Sequence, residues 1–108
     1  MVSKPAGEPG QTIEDFVTLA KRGTGDAVDE IMDRLNENMT IPDSKRIDFA
    51  LGFVTSPEGV NALRTYLFEG TQVQRNYCAL YFNRREDFMI VREAYDRGLI
   101  DMKQVFSR

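Results

Sequence analysis

The chain has 108 residues, a formal net charge of −3, 42% apolar residues and 29% charged ones, which suits one ordinary domain with a real core. With no histidine and one cysteine, it can form neither a Cys/His zinc site nor a Ser-His-Asp triad nor a Cys-His dyad, and it can form no internal disulfide. No apolar run approaches the roughly 18 residues of a membrane span, and the start lacks the basic-then-apolar order of a signal peptide, so the expected compartment is a reducing cytoplasm.

Residues 1–10, MVSKPAGEPG, carry two prolines, two glycines and no apolar period, and read as a flexible tail ahead of a single domain over 11–108. Thr12 is an N-cap candidate with Asp15 three residues on, and Ile13, Phe16, Val17 and Ala20 then share one face. Gly23-Thr24-Gly25 ends that helix. Asp26 is expected to cap the next, whose stripe is Val28, Ile31, Met32 and Leu35. A loop is expected around Thr40-Ile-Pro-Asp43, because Pro42 removes a donor and fixes φ.

Ser44 is expected to open a third helix, SKRIDFALGFV. Its stripe is Ile47, Ala50, Leu51 and Val54, and Phe49 with Phe53 adds a second strip, which predicts cover on two sides. Ser56-Pro57 is a helix start, followed by Val60, Leu63 and Leu67 and ended by Gly70. Thr71 and Gln74 form a capping box for the next helix. That helix sets Val73, Tyr77, Leu80 and Tyr81 on one face, with Cys78 and Phe82 beside it. Glu86 and Asp87 begin a further helix with Phe88, Val91 and Tyr95 inward, closed by Gly98, and Asp101 with Gln104 marks a short last one. No segment alternates like a strand. The expected fold is all-α, with six or seven helices.

The helices also repeat. Shifted by 32 residues, Val28, Ile31 and Leu35 fall on Val60, Leu63 and Leu67. Shifted by 29, Arg46, Ala50, Leu51 and Phe53 fall on Arg75, Ala79, Leu80 and Phe82. Shifted by 28, Val60, Leu63, Leu67 and Gly70 fall on Phe88, Val91, Tyr95 and Gly98. The difference in shift is absorbed near Pro42, where a loop insertion costs little. The pattern is a short α-solenoid of about three antiparallel helix pairs with one helix in front, each pair needing neighbours to cover its apolar face.

"DAVDEIMDRL" with "RIDFALGFV", and "EGVNALRTYL" with "VQRNYCALYF", resemble the HEAT-like repeats, in particular the short type of phycobilin-lyase-like proteins. The resemblance covers roughly residues 26–108. In that family the second helix is richer in alanine, with Val-Arg near its start and Leu-Gly near its end. Here Ala50 to Gly52 follows this only roughly, and the second copy has bulky Tyr and Phe. The resemblance implies a superhelical fold and a general binding role. Some HEAT-like proteins are hydroxylases with His-Glu metal ligands, an activity the absence of histidine excludes here.

The segment "VQRNYCALYFNRRE" interleaves aromatics with cations and amides. With Tyr66 it has the composition of a base-stacking and phosphate-binding surface. A simpler reading packs Tyr77 and Tyr81 in the core and leaves Arg84 and Arg85 at a helix C-terminus, where cations are favoured. The polar face Gln72, Arg75, Asn76, Ala79, Asn83 and Glu86 is then the place for a partner. The partner-binding candidates are Gln72, Arg75, Asn76, Asn83, Arg84 and Arg85. Cys78 reads as a packed thiol. Asp26, Asp29, Glu30, Asp33 and Glu37 form an acidic face without the loop spacing of a calcium site.

Charge is uneven: residues 1–43 carry four basic and nine acidic side chains, residues 44–108 ten and eight. That is milder than a dedicated nucleic-acid binder. There is no GxxxxGK[ST] loop and no GxGxxG. The expected function is a non-enzymatic protein-interaction or scaffold module, without catalytic residue, metal or cofactor, binding another protein or a second copy of itself. The alternatives are a nucleic-acid-binding domain using residues 64–92 and an accessory lyase-like protein holding a small molecule between helices.

Overall fold

Local signals place the helix starts. Threonine or serine precedes five of the seven helices, each hydroxyl accepting an amide of the first turn: Thr12 from Asp15, Thr24 from Ala27, Thr40 from Asp43, Ser56 from Gly59 and Thr71 from Gln74. Thr12/Asp15 and Thr71/Gln74 form full capping boxes, and at α7 the Asp101 amide donates to Gln104 Oε1 at 2.9 Å. The computed structural model describes residues 12–108, and the expected tail over 1–10 lies outside the described residues.

In chain order the elements are α1 (Ile13–Arg22), α2 (Gly25–Met32), α3 (Ile41–Leu51), α4 (Pro57–Glu69), α5 (Gln72–Arg84), α6 (Phe88–Asp96) and α7 (Met102–Phe106). The fold is all-α, with no strand among the described residues. None of these helices is long and apolar enough to cross a membrane.

Two helix starts differ from expectation. Thr24, not Asp26, caps α2; Asp26 lies in the first turn, where a Thr24 hydrogen bond holds its carboxyl below the usual carboxylate value. α3 begins at Ile41 rather than Ser44, because Pro42 sits in the first turn, where a missing N–H costs nothing. The expected loop is therefore the start of a helix, and Ser44 turns its hydroxyl back to the Ile41 carbonyl at 2.8 Å.

α1 packs on both α2 and α3, α2 on α4, α4 on α5, and α5 on α3, so these five helices close a circuit. α6 and α7 pack on α5 and on each other. The repeat pattern pairs α2 with α3, yet α3's principal neighbour is α1. Inside the circuit lie Phe16, Val28, Ile31, Met32, Ile47 and Leu51 with Leu63, Leu67 and Phe82, all buried. Burying such a side chain is worth about 1.5–3 kcal/mol against leaving it in water.

Polar side chains join the helices at the ends of that core. Tyr81 donates its phenol to the Val54 carbonyl at 2.5 Å, closing the end of α3 onto α5. Tyr66 donates to Asp29 at 2.7 Å, tying α4 to α2. Gln74 Nε2 donates to the Met32 carbonyl at 3.1 Å, which also accepts the Leu35 amide at 3.0 Å, tying α5 to the end of α2.

The tightest junction is where the α1–α2 corner meets the start of α4. Gly23 takes φ +66°, and Ser56 donates its hydroxyl to the Gly23 carbonyl at 2.7 Å. Glu58 accepts the Gly25 amide at 2.6 Å. Gly59 is buried in the same contact, where an added Cβ would stand 2.6 Å from a Val54 methyl. Phe49 is the exception to the expected cover of α3: it is 56% exposed and touches Phe53 edge-on at 5.5 Å.

Candidate functional site

α5 carries the six predicted partner-binding residues, and the structure divides them between its two ends. Thirteen residues at about 1.5 Å each make a helix about 20 Å long. Gln72, Arg75 and Asn76 lie in the first turns, whereas Asn83, Arg84 and Arg85 lie in or just past the last.

At the first end, the three side chains form one network. Arg75 Nε donates to the Leu99 carbonyl at 2.8 Å, and its Nη1 donates to the Gly70 carbonyl at 2.7 Å. Arg75 Nη2 reaches Gln72 Oε1 at 3.0 Å. Gln72 Nε2 donates to Asn76 Oδ1 at 2.8 Å and to the same Leu99 carbonyl at 3.2 Å. Leu99 lies between α6 and α7. Arg75 thus spends its planar fork on three acceptors of its own chain, and charge-assisted bonds of this kind are the stronger ones.

At the other end, Asn83 is fully buried, so it presents no surface to a partner. Its Nδ2 donates to the carbonyls of Gln104 (2.8 Å), Val105 (3.2 Å) and Ser107 (2.9 Å). These include the acceptors that the last turn of α7 leaves unpaired. Asn83 Oδ1 is buried without a partner. Ala79, placed by sequence on the polar face, is also fully buried. Of the face expected to be polar and open, Ala79 and Asn83 are therefore buried, whereas Gln72 and Glu86 stay exposed.

Arg84 donates to Asp48 of α3 at 2.8 Å, and Arg85 to Asp87 at 3.1 Å with its guanidinium 5.6 Å from the Tyr81 ring centre. Both pairs are substantially exposed, and such pairs contribute about 0–1 kcal/mol.

Groups with chemistry are held quiet. Cys78 is fully buried, and burial pushes its thiol up to about 12, so it stays protonated at neutral pH. Tyr66 is pushed up to about 12, first by burial and then by its bond to Asp29. Among the described residues, no three of Cys, Asp or Glu lie close enough to share a metal ion.

What sequence reasoning missed is apolar. Six large apolar side chains stand exposed among the described residues, and four of them, Phe88, Met89, Met102 and Phe106, belong to α6 and α7. Met89 is 86% exposed and Phe106 71%. Arg108 lies over the Phe88 ring, 4.5 Å from its centre, which places the chain end beside the start of α6. α7 itself buries no residue fully. A signal was present: Met89 is off the Phe88, Val91, Tyr95 stripe, and Met102 and Phe106 are one helical turn apart.

Compared with known families, curated proteins and solved structures, the chain gives no match.

Proposed function

We propose that this protein is a non-catalytic protein-interaction module that uses its α6–α7 end, and that its partner there is a second copy of itself. The observation that carries this reading is the exposure of Phe88, Met89, Met102 and Phe106 on the last two helices. Scattered single apolar residues need no explanation, but several gathered on one end of a small domain mark a contact surface. We read the helix order as a short HEAT-like stack. Matched positions such as Ile31 with Leu63 and Ala50 with Ala79 are fully buried in both copies, which supports that reading. A stack without a polar final unit ends in an uncovered face, and association covers it.

The nucleic-acid reading stands second. Of the arginines on which it rests, Arg75 points into the fold, Arg84 faces Asp48 and Arg85 faces Asp87. Arg64 and Arg92 do line a groove with Phe68 between α4 and α6, but Glu93 and Asp96 line it too.

Light scattering across the micromolar range tests the proposal. The wild type is expected to associate with rising concentration, and the Met89→Glu/Phe106→Glu double variant to remain monomeric with an unchanged helical circular-dichroism spectrum. A wild type that is monomeric throughout, or a double variant that associates equally well, contradicts it.

A further inference from the structure

A second feature lies away from that end. Between α1, the loop after α2 and the start of α3 is a cleft of 220 Å³. Phe16, Met39 and Ile47 supply its apolar wall, and Arg34, Asn36, Asn38 and Asp43 its polar groups. Phe16 and Ile47 are buried and fixed behind the surface, so half-buried Met39 is the apolar side chain open to an occupant.

The charged groups are the informative part. Arg34 is half-buried, yet its guanidinium makes no hydrogen bond and no ion pair among the described residues. Its five donors and planar fork suit a carboxylate. Asp43, half-buried in the first turn of α3, accepts from Arg46 at 2.6 Å on Oδ1, while Oδ2 has no partner among the described residues. The loop's shape does not depend on an occupant: Asn36 Oδ1 accepts the Asn38 amide at 2.8 Å, and Asn36 Nδ2 donates to the Asp33 carbonyl at 3.2 Å.

A simple anion in this cleft meets the Asp43 carboxylate, and a simple cation meets Arg34. A zwitterion satisfies both. We infer that the cleft binds a small free α-amino acid with an apolar side chain. Its carboxylate sits on Arg34, its ammonium on Asp43 Oδ2 and its side chain against Met39, with Phe16 and Ile47 behind. The size agrees, because pockets for drug-sized ligands begin at about 300 Å³ and this one is smaller.

Titration of the full chain with L-leucine, followed by NMR, tests the assignment with three probes. L-leucine is expected to shift Arg34, Met39 and Ile47 resonances saturably. L-leucine methyl ester, which lacks the carboxylate, and N-acetyl-L-leucine, which lacks the ammonium, are each expected to bind about tenfold more weakly. Arg34→Gln and Asp43→Asn should each weaken L-leucine by a similar factor while leaving the circular-dichroism spectrum unchanged. Absence of a saturable shift overturns the inference. So do equal affinities for the ester or the acetyl derivative, which would show apolar occupancy alone. The probe comparison uses the wild type and stands even where a variant folds poorly.

Discussion

Replacing Asn83 by aspartate is expected to destabilise the fold by about 3–5 kcal/mol at neutral pH, the cost of an uncompensated buried charge. The side chain is fully buried, and its amide nitrogen faces three carbonyl oxygens. A carboxylate there sets oxygen against oxygen and donates nothing. The fold therefore favours the protonated acid, raising the new group's folded pKa above its unfolded value of about 3.9. The deficit is then smallest near pH 4 and grows as pH rises, levelling off above the folded pKa. Asn83→Ala lacks the charge and should cost about 1–3 kcal/mol, the penalty of unmet acceptors. Urea unfolding at pH 7 and pH 4 measures both. A loss within about 0.5 kcal/mol for the aspartate variant, as for an ordinary surface change, contradicts the buried placement.

Gly23→Val is the second large effect, expected to cost about 3 kcal/mol or more from backbone strain and overpacking together. Gly23 has φ +66°, a region β-branched residues rarely adopt. An added Cβ would also fall 2.4 Å from Ser56 Oγ, the atom that bonds the Gly23 carbonyl and accepts the Gly59 amide. The substitution drives apart the α1–α2 corner and the start of α4. Thermal unfolding should show a drop of many degrees with retained helical content at low temperature. An unchanged midpoint means that the corner and α4 do not meet as described.

The parts of the fold readable from sequence are those written within one or two helical turns. Caps such as Thr12, Ser56 and Thr71 bond to amides three residues away, so spacing alone reveals them. The all-α class and the stripes on α1, α2 and α4 follow from the same short-range periodicity. The misses have the opposite character. α3 starts three residues early because a proline compatible with a first helical turn looks the same in sequence as one in a loop. Phe49 was expected inside because a second apolar strip on α3 implied cover along that strip, but Phe49 is 56% exposed and meets only the edge of Phe53 among the aromatic rings.

The candidate site was legible only in part, for a related reason. Gln72, Arg75, Asn76 and Asn83 do form one polar face, as the spacing indicates. Gln72, Arg75 and Asn83 donate to carbonyls 21 to 27 residues further along the chain, at Leu99 and in the α7 segment, and Asn76 accepts from Gln72. Backbone carbonyls carry no residue identity, so no pattern of residue types announces them. A polar helix face waiting for a partner and one already satisfied by its own chain have the same sequence.

Arg75 is either a latch holding the α6–α7 corner or a free contact for a partner. Native-state hydrogen exchange in Arg75→Ala, with Arg64→Ala as an exposed control, separates the two. As a latch, Arg75 leaves the Leu99 carbonyl without its charged donor when removed. The amides of Leu99 and α7 should then exchange about tenfold faster, while the control matches the wild type. Unchanged exchange over residues 97–108 in Arg75→Ala would contradict the latch and return the α5 face to the role of an open binding surface.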